Sequence, residues 1–205
     1  MKKPIYINLD DKSSYASLKG KWTQEEAFEG SVQIDFVYGM HCTKIADENH
    51  YLKNGLRILN LDQRIDFVLS EFNKHGLLPQ ENETLRTEIS QGYNSWDLSC
   101  RENMIWFCLN RNLIFKDTGC ERFFKYFGGE VVYRLFERNE NVKIKEMLMK
   151  IGKPAVIHCW LPFDTIKPYQ KCKIIDFINR TDKSNSECAC IKTIEQKQII
   201  KIEWL

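Results

Sequence analysis

Three short segments of the sequence carry residue types that could do chemistry together. The first holds His41 and Thr43, the second holds Trp106, and the third holds Glu130 behind two glycines. An imidazole and a hydroxyl can hydrogen-bond a ligand, and an aromatic face can stack on a ring. A carboxylate can stabilise positive charge that develops in a transition state. These segments are far apart in the chain, so they form a site only if the fold brings them together.

Hydrophobic patterning predicts an alternation of strands and short helices around these segments. Apolar runs predict strands at 4–9, 32–38, 104–109, 130–136, 155–162, 174–178 and 198–204. Helical spacing with capping and stop residues predicts helices at 46–54, 62–76, 83–89, 117–127 and 142–151, with Asp62 as the cap of the second. For 130–136, a helix that runs through the preceding glycines is the alternative. The pattern indicates the α+β class, with His41 at a strand end and 79–103 as a long connection.

The composition predicts a single globular domain over residues 1–205. Of the 205 residues, 43% are hydrophobic and 12% are aromatic, whereas disordered chains are poor in aromatic residues. The N-terminal residues lack the continuous apolar stretch of a signal peptide, and no apolar run is long enough to predict a membrane span. We therefore expect a cytoplasmic protein that does not contact a membrane.

The eight cysteines are expected to be reduced thiols. At this chain length and without a signal peptide, free thiols that pack as small hydrophobes are favoured over disulfides. The closest grouping for a metal is Cys188 and Cys190 with Cys172 and Cys159 upstream, and there is no C-x-x-C pair. The sequence therefore predicts no metal site, with structural zinc at that grouping as the alternative.

Charge and motifs narrow the function classes. The formal net charge is only +2, but residues 134–205 carry 14 Lys and Arg against 9 Asp and Glu. That basic region could face a nucleic acid, or its lysines could simply be solvated. The sequence has no G-x-x-x-x-G-K-[ST] and no G-x-G-x-x-G phosphate loop, which argues against a P-loop ATPase and a dinucleotide-binding dehydrogenase.

The order of the three segments resembles the ADP-ribosyltransferase superfamily. In that family a split β-sheet presents a histidine on the first core strand, an aromatic residue on the second and a glutamate on a later one. The matching segments here are His41-Cys42-Thr43 with Gly55-Leu56, Trp106-Phe107, and Gly128-Gly129-Glu130. The His-x-Thr and Gly-Leu pair resembles nucleic-acid-directed ADP-ribosyltransferase toxins and tRNA 2′-phosphotransferases. The resemblance covers about residues 32–163 and implies a split-sheet core with short flanking helices. The charge distribution and the strand patterns predict that residues 164–205 extend this core as a basic, strand-rich segment.

The resemblance implies NAD as the substrate that supplies ADP-ribose. Glu130 is then the catalytic residue, which stabilises an oxocarbenium-like ribose. His41 and Thr43 position NAD by hydrogen bonds. Either Trp106 or Phe107 stacks on the nicotinamide ring, and the other lies in the core.

Further residues follow from the same resemblance. Gly55 and Leu56 belong to the NAD site. Arg57 and Arg101 have the guanidinium geometry that suits a pyrophosphate, with surface salt bridges as the alternative. Two positions depart from the family: its usual second-motif tyrosine is absent, and Gly128 stands where many members carry Ser, Gln or Glu. These departures disfavour protein arginine as the acceptor.

The resemblance implies a toxin or defence effector, of the toxin–antitoxin or phage-defence kind. RNA or DNA is the first choice of acceptor and protein the second, and an antitoxin or inhibitor protein is a candidate partner. A non-catalytic module that binds nucleic acid or protein is the alternative. A metal-dependent nuclease is a third class, but no carboxylates with consistent spacing support it. The plainer interpretations of single residues are a structural histidine at His41 or His158 and an exposed turn glutamate at Glu130.

Overall fold

Helices and strands alternate along the chain. The computed structural model describes residues 3–95, 101–137, 141–180 and 186–205. Its strands are β1 (Tyr6–Ile7), β2 (Phe36–Ile45), β3 (Ile105–Cys108), β4 (Lys153–Pro162), β5 (Glu187–Cys190) and β6 (Ile199–Trp204). Its helices are α1 (Gln24–Glu29), α2 (Glu48–Asn54), α3 (Leu61–Lys74), α4 (Asn82–Ser95), α5 (Arg111–Lys116), α6 (Thr118–Lys125), α7 (Glu130–Glu137), α8 (Val142–Lys150) and α9 (Pro168–Arg180). None of these helices combines the length and the apolar character needed to cross a membrane.

A single sheet organises these elements. The strand order is β5-β3-β2-β4-β6, and β1 lies beside the start of β2. All pairs are antiparallel except β1 with β2, which is parallel. The longest pairing joins β2 and β4, from Phe36 opposite Pro162 to Ile45 opposite Lys153. Helices combined with a mainly antiparallel sheet agree with the predicted α+β class.

The other edge of β2 is covered by strands over only part of its length. There β1 pairs with Phe36 and Val37, and β3 pairs through Met40 opposite Cys108. Beyond Met40, no strand of the described ranges pairs with this edge of residues 41–45. Strands β2 and β3 therefore part, and the gap between them leaves room for a cavity.

Three apolar clusters hold the elements together. The first packs one face of the sheet against α1 and α9, where Ala27 and Ile175 are fully buried. The second joins α3, α4, α7 and α8 through side chains such as Phe72 and Phe136. The third is smaller and packs the opposite sheet face against α5 and α6, with Met40 at its centre. The gap between β2 and β3 lies where these clusters meet.

Two predicted strands are wrong, because both segments are helices. Residues 130–136 belong to α7, where Val132 and Phe136 are buried one helical turn apart. Residues 174–178 belong to α9, where Ile174 and Ile178 have the same spacing. The β-branched and aromatic content of both segments suggested strands, but packing on neighbouring helices outweighs strand propensity. The prediction of Glu130 on a strand fails for this reason.

Other predicted boundaries shift. His41 lies inside β2, which continues to Ile45, and not at a strand end. The side chain of Asn60, and not of Asp62, caps α3 by accepting from the backbone N–H of Gln63 at 3.0 Å. Helix α4 is longer than the helix predicted at 83–89, so the connection expected at 79–103 is largely helical; its residues 96–100 lie outside the described ranges.

Candidate functional site

A cavity of about 360 Å³ lies where β2 and β3 part. Its wall combines β2, the end of α2 with the segment after it, α3, β3 and the turn before α7. Sites for small molecules in proteins usually enclose about 300–1,000 Å³. The cavity is therefore large enough to hold a small organic ligand.

His41 lies in the cavity wall and is oriented by one hydrogen bond. Its Nδ1 donates to the backbone carbonyl of Trp106 at 2.9 Å, across the gap between the two strands. A carbonyl only accepts, so Nδ1 carries the proton and Nε2 of the neutral ring is an acceptor. Burial lowers the pKa of His41, which favours that neutral form. His41 can therefore accept a hydrogen bond from a ligand hydroxyl.

Thr43 follows two residues later on the same strand and also lies in the cavity wall. Its Oγ1 donates to the carbonyl of Lys44 at 3.4 Å, and the residue is half-buried. A hydrogen bond of that length is weak. The Thr43 hydroxyl therefore keeps most of its capacity for a ligand.

The segment after α2 forms another part of the wall because a glycine begins it. Gly55 has φ +71°, and a Cβ there would lie 2.2 Å from the carbonyl oxygen of Ile194. The next residue, Leu56, is buried and exchanges two backbone hydrogen bonds of 2.9 Å with Ile194. Arg57 is exposed beside the cavity, and no carboxylate of the described ranges pairs with it. This guanidinium is available to an anionic ligand.

Trp106 and Phe107 take different positions. Trp106 is half-buried in the cavity wall, and the guanidinium of Arg101 lies 4.5 Å from its ring centroid. Its Nε1 is buried and has no hydrogen-bond partner in the part of the chain that the structure describes. Phe107 is only 2% exposed, lies outside the wall and contacts His41 with ring centroids 5.7 Å apart. Of the two aromatic candidates, Trp106 is the one that a ligand can reach.

Glu130 is the first residue of α7 and lies in the cavity wall. Gly128 and Gly129 have φ values of +91° and +81°, and this turn starts the helix at Glu130. The carboxylate forms ion pairs with Arg101 at 3.0 Å and with Arg134 at 3.1 Å. The positive end of the helix dipole also favours a carboxylate at this position. Glu130 is therefore held in a defined orientation, with 17% of its side chain exposed.

Cationic side chains outnumber carboxylates around the cavity. Arg57, Arg64 and Arg101 lie in its wall, against Asp66 and Glu130. Guanidinium groups bind phosphate oxygens with matching geometry. The electrostatics of the cavity therefore suit a ligand that carries phosphate.

The cavity wall contains eight of the nine residues that the resemblance assigns to the site, and only Phe107 lies outside it. The eight are His41, Thr43, Gly55, Leu56, Arg57, Arg101, Trp106 and Glu130. The wall also contains residues that the sequence did not single out, among them His50, Arg64 and Phe67. His50 stacks on Phe67 with ring centroids 5.0 Å apart. No motif marks these helical residues, because amphipathic spacing is the same for a helix that faces solvent and for one that faces a ligand.

A second polar site, the His158 network, lies near the start of β2. Tyr38 donates to Nδ1 of His158 at 2.6 Å, and Nε2 of His158 donates to Glu203 at 3.0 Å. Arg111 binds both carboxylate oxygens of Glu203. Burial lowers the pKa of His158, and the Arg111 guanidinium lowers the pKa of Glu203 to about 2. His158 is 1% exposed, in agreement with its interpretation as a core histidine.

Comparisons with known proteins identify no relative. No family model, no curated protein and no solved structure matches this chain. Its function is therefore inferred from its residues and their geometry.

Proposed function

We propose that this protein is an ADP-ribosyltransferase that uses NAD as its substrate. The observation that carries the proposal is the shared cavity wall of His41, Thr43, Trp106 and Glu130, which come from three distant segments of the chain. Their order along the chain is the order in the family that the sequence resembles. The parting of β2 and β3 beside these residues is also what a split-sheet core requires.

Glu130 is the proposed catalytic residue. In the reaction the bond between ribose and nicotinamide breaks, its electron pair leaves with nicotinamide, and an acceptor nucleophile bonds to the cation-like ribose carbon. The Glu130 carboxylate stabilises the positive charge that develops on the ribose. Its ion pairs with Arg101 and Arg134 fix the direction of the carboxylate before the substrate arrives. Such preorganisation avoids a cost of reorientation during the reaction.

The other wall residues position the substrate. His41 accepts a hydrogen bond from a ribose hydroxyl through Nε2, and Thr43 binds the nicotinamide half through its hydroxyl. Trp106 offers a half-buried aromatic face for stacking and an indole N–H that has no partner among the described residues. Arg57 and Arg64 supply positive charge for the pyrophosphate.

We extend the proposal to the acceptor and the biological role. The excess of basic residues in 134–205 favours RNA or DNA as the acceptor, with protein as the second choice. A cytoplasmic toxin or defence effector, restrained by an antitoxin or inhibitor protein, fits such an activity.

The test is release of nicotinamide from NAD by the purified protein, with and without single-stranded RNA or DNA. We expect Glu130→Gln to lower the rate by a factor on the order of 100 to 1,000. We expect His41→Ala to raise KM by about tenfold, since it removes one hydrogen bond to the substrate. The control is Glu121→Gln, which alters an exposed glutamate on α6 and leaves the rate unchanged.

Two results would overturn the proposal. If no nicotinamide is released and NAD does not raise the melting temperature, the enzyme proposal fails and the non-catalytic binding module becomes the favoured alternative. If nicotinamide is released equally by the wild type and Glu130→Gln, the catalytic residue lies elsewhere and the assignment of the cavity fails.

A further inference from the structure

Three cysteines from three different elements meet beside the cavity. Cys42 lies on β2, Cys108 on β3 and Cys120 in the first turn of α6. Their sulfur atoms all lie within 4.8 Å of one another, and those of Cys108 and Cys120 are 3.5 Å apart. All three residues are buried. We call this group the thiol cluster.

The dimensions of the thiol cluster suit a thiophilic metal ion. Zinc with sulfur ligands at about 2.3 Å places neighbouring sulfurs about 3.8 Å apart in a tetrahedron, and about 4.0 Å apart in a trigonal plane. The cluster reaches these separations with shifts of less than an ångström in side chains already in contact. The other buried cysteines, Cys159, Cys188 and Cys190, form no such group in the described ranges.

The surroundings of the thiol cluster favour metal binding over solvation of free thiolates. Met40, Leu113, Ile114 and Val156 pack around the three cysteines as a mainly apolar shell. Cys120 lies in the N-terminal turn of α6, where the positive end of the helix dipole suits a ligand to a cation. The site therefore combines three converging sulfur atoms with a mainly apolar shell.

The thiol cluster lies next to the cavity. Cys42 belongs both to the cavity wall and to the thiol cluster. The cavity can supply a water molecule as a fourth ligand. Soft thiolate ligands select zinc and monovalent copper over magnesium or calcium.

We propose that Cys42, Cys108 and Cys120 bind one thiophilic d¹⁰ metal ion, as Zn²⁺ with a fourth ligand from the cavity or as Cu⁺ with the three thiolates alone. Binding releases the thiol protons to solvent and ties β2, β3 and α6 together where the two strands part. The metal-site proposal does not depend on the proposed NAD activity, because metal binding is measured directly and without catalysis.

The test is metal titration of the full chain, kept reduced and free of oxygen. Zn²⁺, Co²⁺ as its spectroscopic substitute, and Cu⁺ are added separately, each against a competing chelator. We expect one ion per chain, and for Co²⁺ a charge-transfer band whose intensity corresponds to three thiolates. Each of Cys42→Ala, Cys108→Ala and Cys120→Ala should lower the affinity by at least about tenfold, since loss of a direct ligand costs at least as much as loss of an outer partner.

The matched control is Cys159→Ala, a buried cysteine on β4 outside the thiol cluster, which should bind the ion as the wild type does. Tight binding of Zn²⁺ alone supports the four-coordinate form, and tight binding of Cu⁺ alone supports the three-coordinate form. If neither ion binds, or if the three cluster variants bind as the control does, the proposal is overturned. Should a cluster variant fail to fold, the spectra of the wild type decide, because the absence of thiolate charge-transfer bands with both Co²⁺ and Cu⁺ also overturns the proposal.

Discussion

The two ends of strand β2 carry polar side chains in opposite situations. Near its start, Tyr38 belongs to the His158 network, in which hydrogen bonds of 2.6 and 3.0 Å join each group to the next. Towards its other end, His41 has one backbone partner and Thr43 has one long hydrogen bond of 3.4 Å. Beside them, Nε1 of Trp106 is buried without a partner in the described ranges.

This difference separates a structural polar site from one built for a ligand. A buried polar group left without a partner costs about 1–3 kcal/mol, so most such groups pair within the protein. The His158 network meets that requirement with its own side chains. At the cavity, hydrogen-bonding groups of His41, Thr43 and Trp106 are left without a strong partner in the described ranges. A ligand with hydroxyl, ring and phosphate groups can supply such partners.

The largest expected effect comes from replacing one glutamate in each region, Glu130 at the cavity and Glu203 in the His158 network, and measuring both catalytic rate and stability. Glu130→Gln should lower the rate of NAD cleavage by a factor on the order of 100 to 1,000, and it should also lower stability, because it weakens the ion pairs with Arg101 and Arg134. Glu203→Gln should leave that rate unchanged and cost only stability, about 2 kcal/mol of folding free energy, because it weakens the charge-assisted bonds from Arg111. Nicotinamide release measures the catalytic rate of each variant, and urea unfolding measures its stability. Loss of activity in Glu203→Gln would show that the His158 network is not purely structural.

A smaller effect distinguishes the backbone of the cavity wall from an ordinary turn. Gly55→Ala should destabilise the fold by about 3 kcal/mol, because the new Cβ strains a positive φ and also meets the Ile194 carbonyl. Gly76→Ala is the matched control, since its φ is +93° but nothing lies within 4 Å of the new Cβ, and it should cost only about 1 kcal/mol. Urea unfolding measures both. Equal losses of stability in the two variants would mean that the segment after α2 moves away from the Ile194 carbonyl without a cost in free energy.

The smallest effect is the pH dependence of stability between about pH 7.5 and pH 5.5. Burial holds the pKa of folded His158 below its ordinary 6.5, so the unfolded chain takes up the proton first and stability falls as the pH drops below that value. A second fall should begin below 4.5, since the pKa of folded Glu203 is about 2. Urea midpoints measured from neutral pH to below pH 4.5 should show both falls, and His158→Gln should reduce the first and leave the second. Stability that rises on acidification would contradict this reasoning.

The sequence predicts those parts of the site that have local signals. A strand through His41 and Thr43, a glycine after a short helix and a glycine pair before Glu130 are each visible in a few neighbouring residues. Their common position in the cavity was expected only through the family resemblance. The choice between Trp106 and Phe107 could not be made locally, because adjacent strand residues point to opposite faces and the sequence does not tell which face a ligand reaches.

Other features have no local signal at all. Arg64 and Phe67 enter the cavity wall because α3 packs beside the gap between β2 and β3. The thiol cluster joins Cys42, Cys108 and Cys120 from three elements, whereas metal motifs are recognised by close spacing within one segment. The strand predicted at 130–136 failed for a related reason, since burial against neighbouring helices decides between helix and strand in a short apolar run.

The pairing of β6 with β4 has a consequence for the order of events during synthesis. Strand β4 is strongly apolar, and within the described ranges its edge away from β2 is paired with β6, which the ribosome makes after α9 and β5. A nascent chain that has reached α9 therefore carries β2 and β4 already able to pair, with one unprotected apolar edge. Unpaired strand edges of this kind promote association between chains. Chaperone capture of this protein should therefore concentrate in the interval between synthesis of β4 and synthesis of β6.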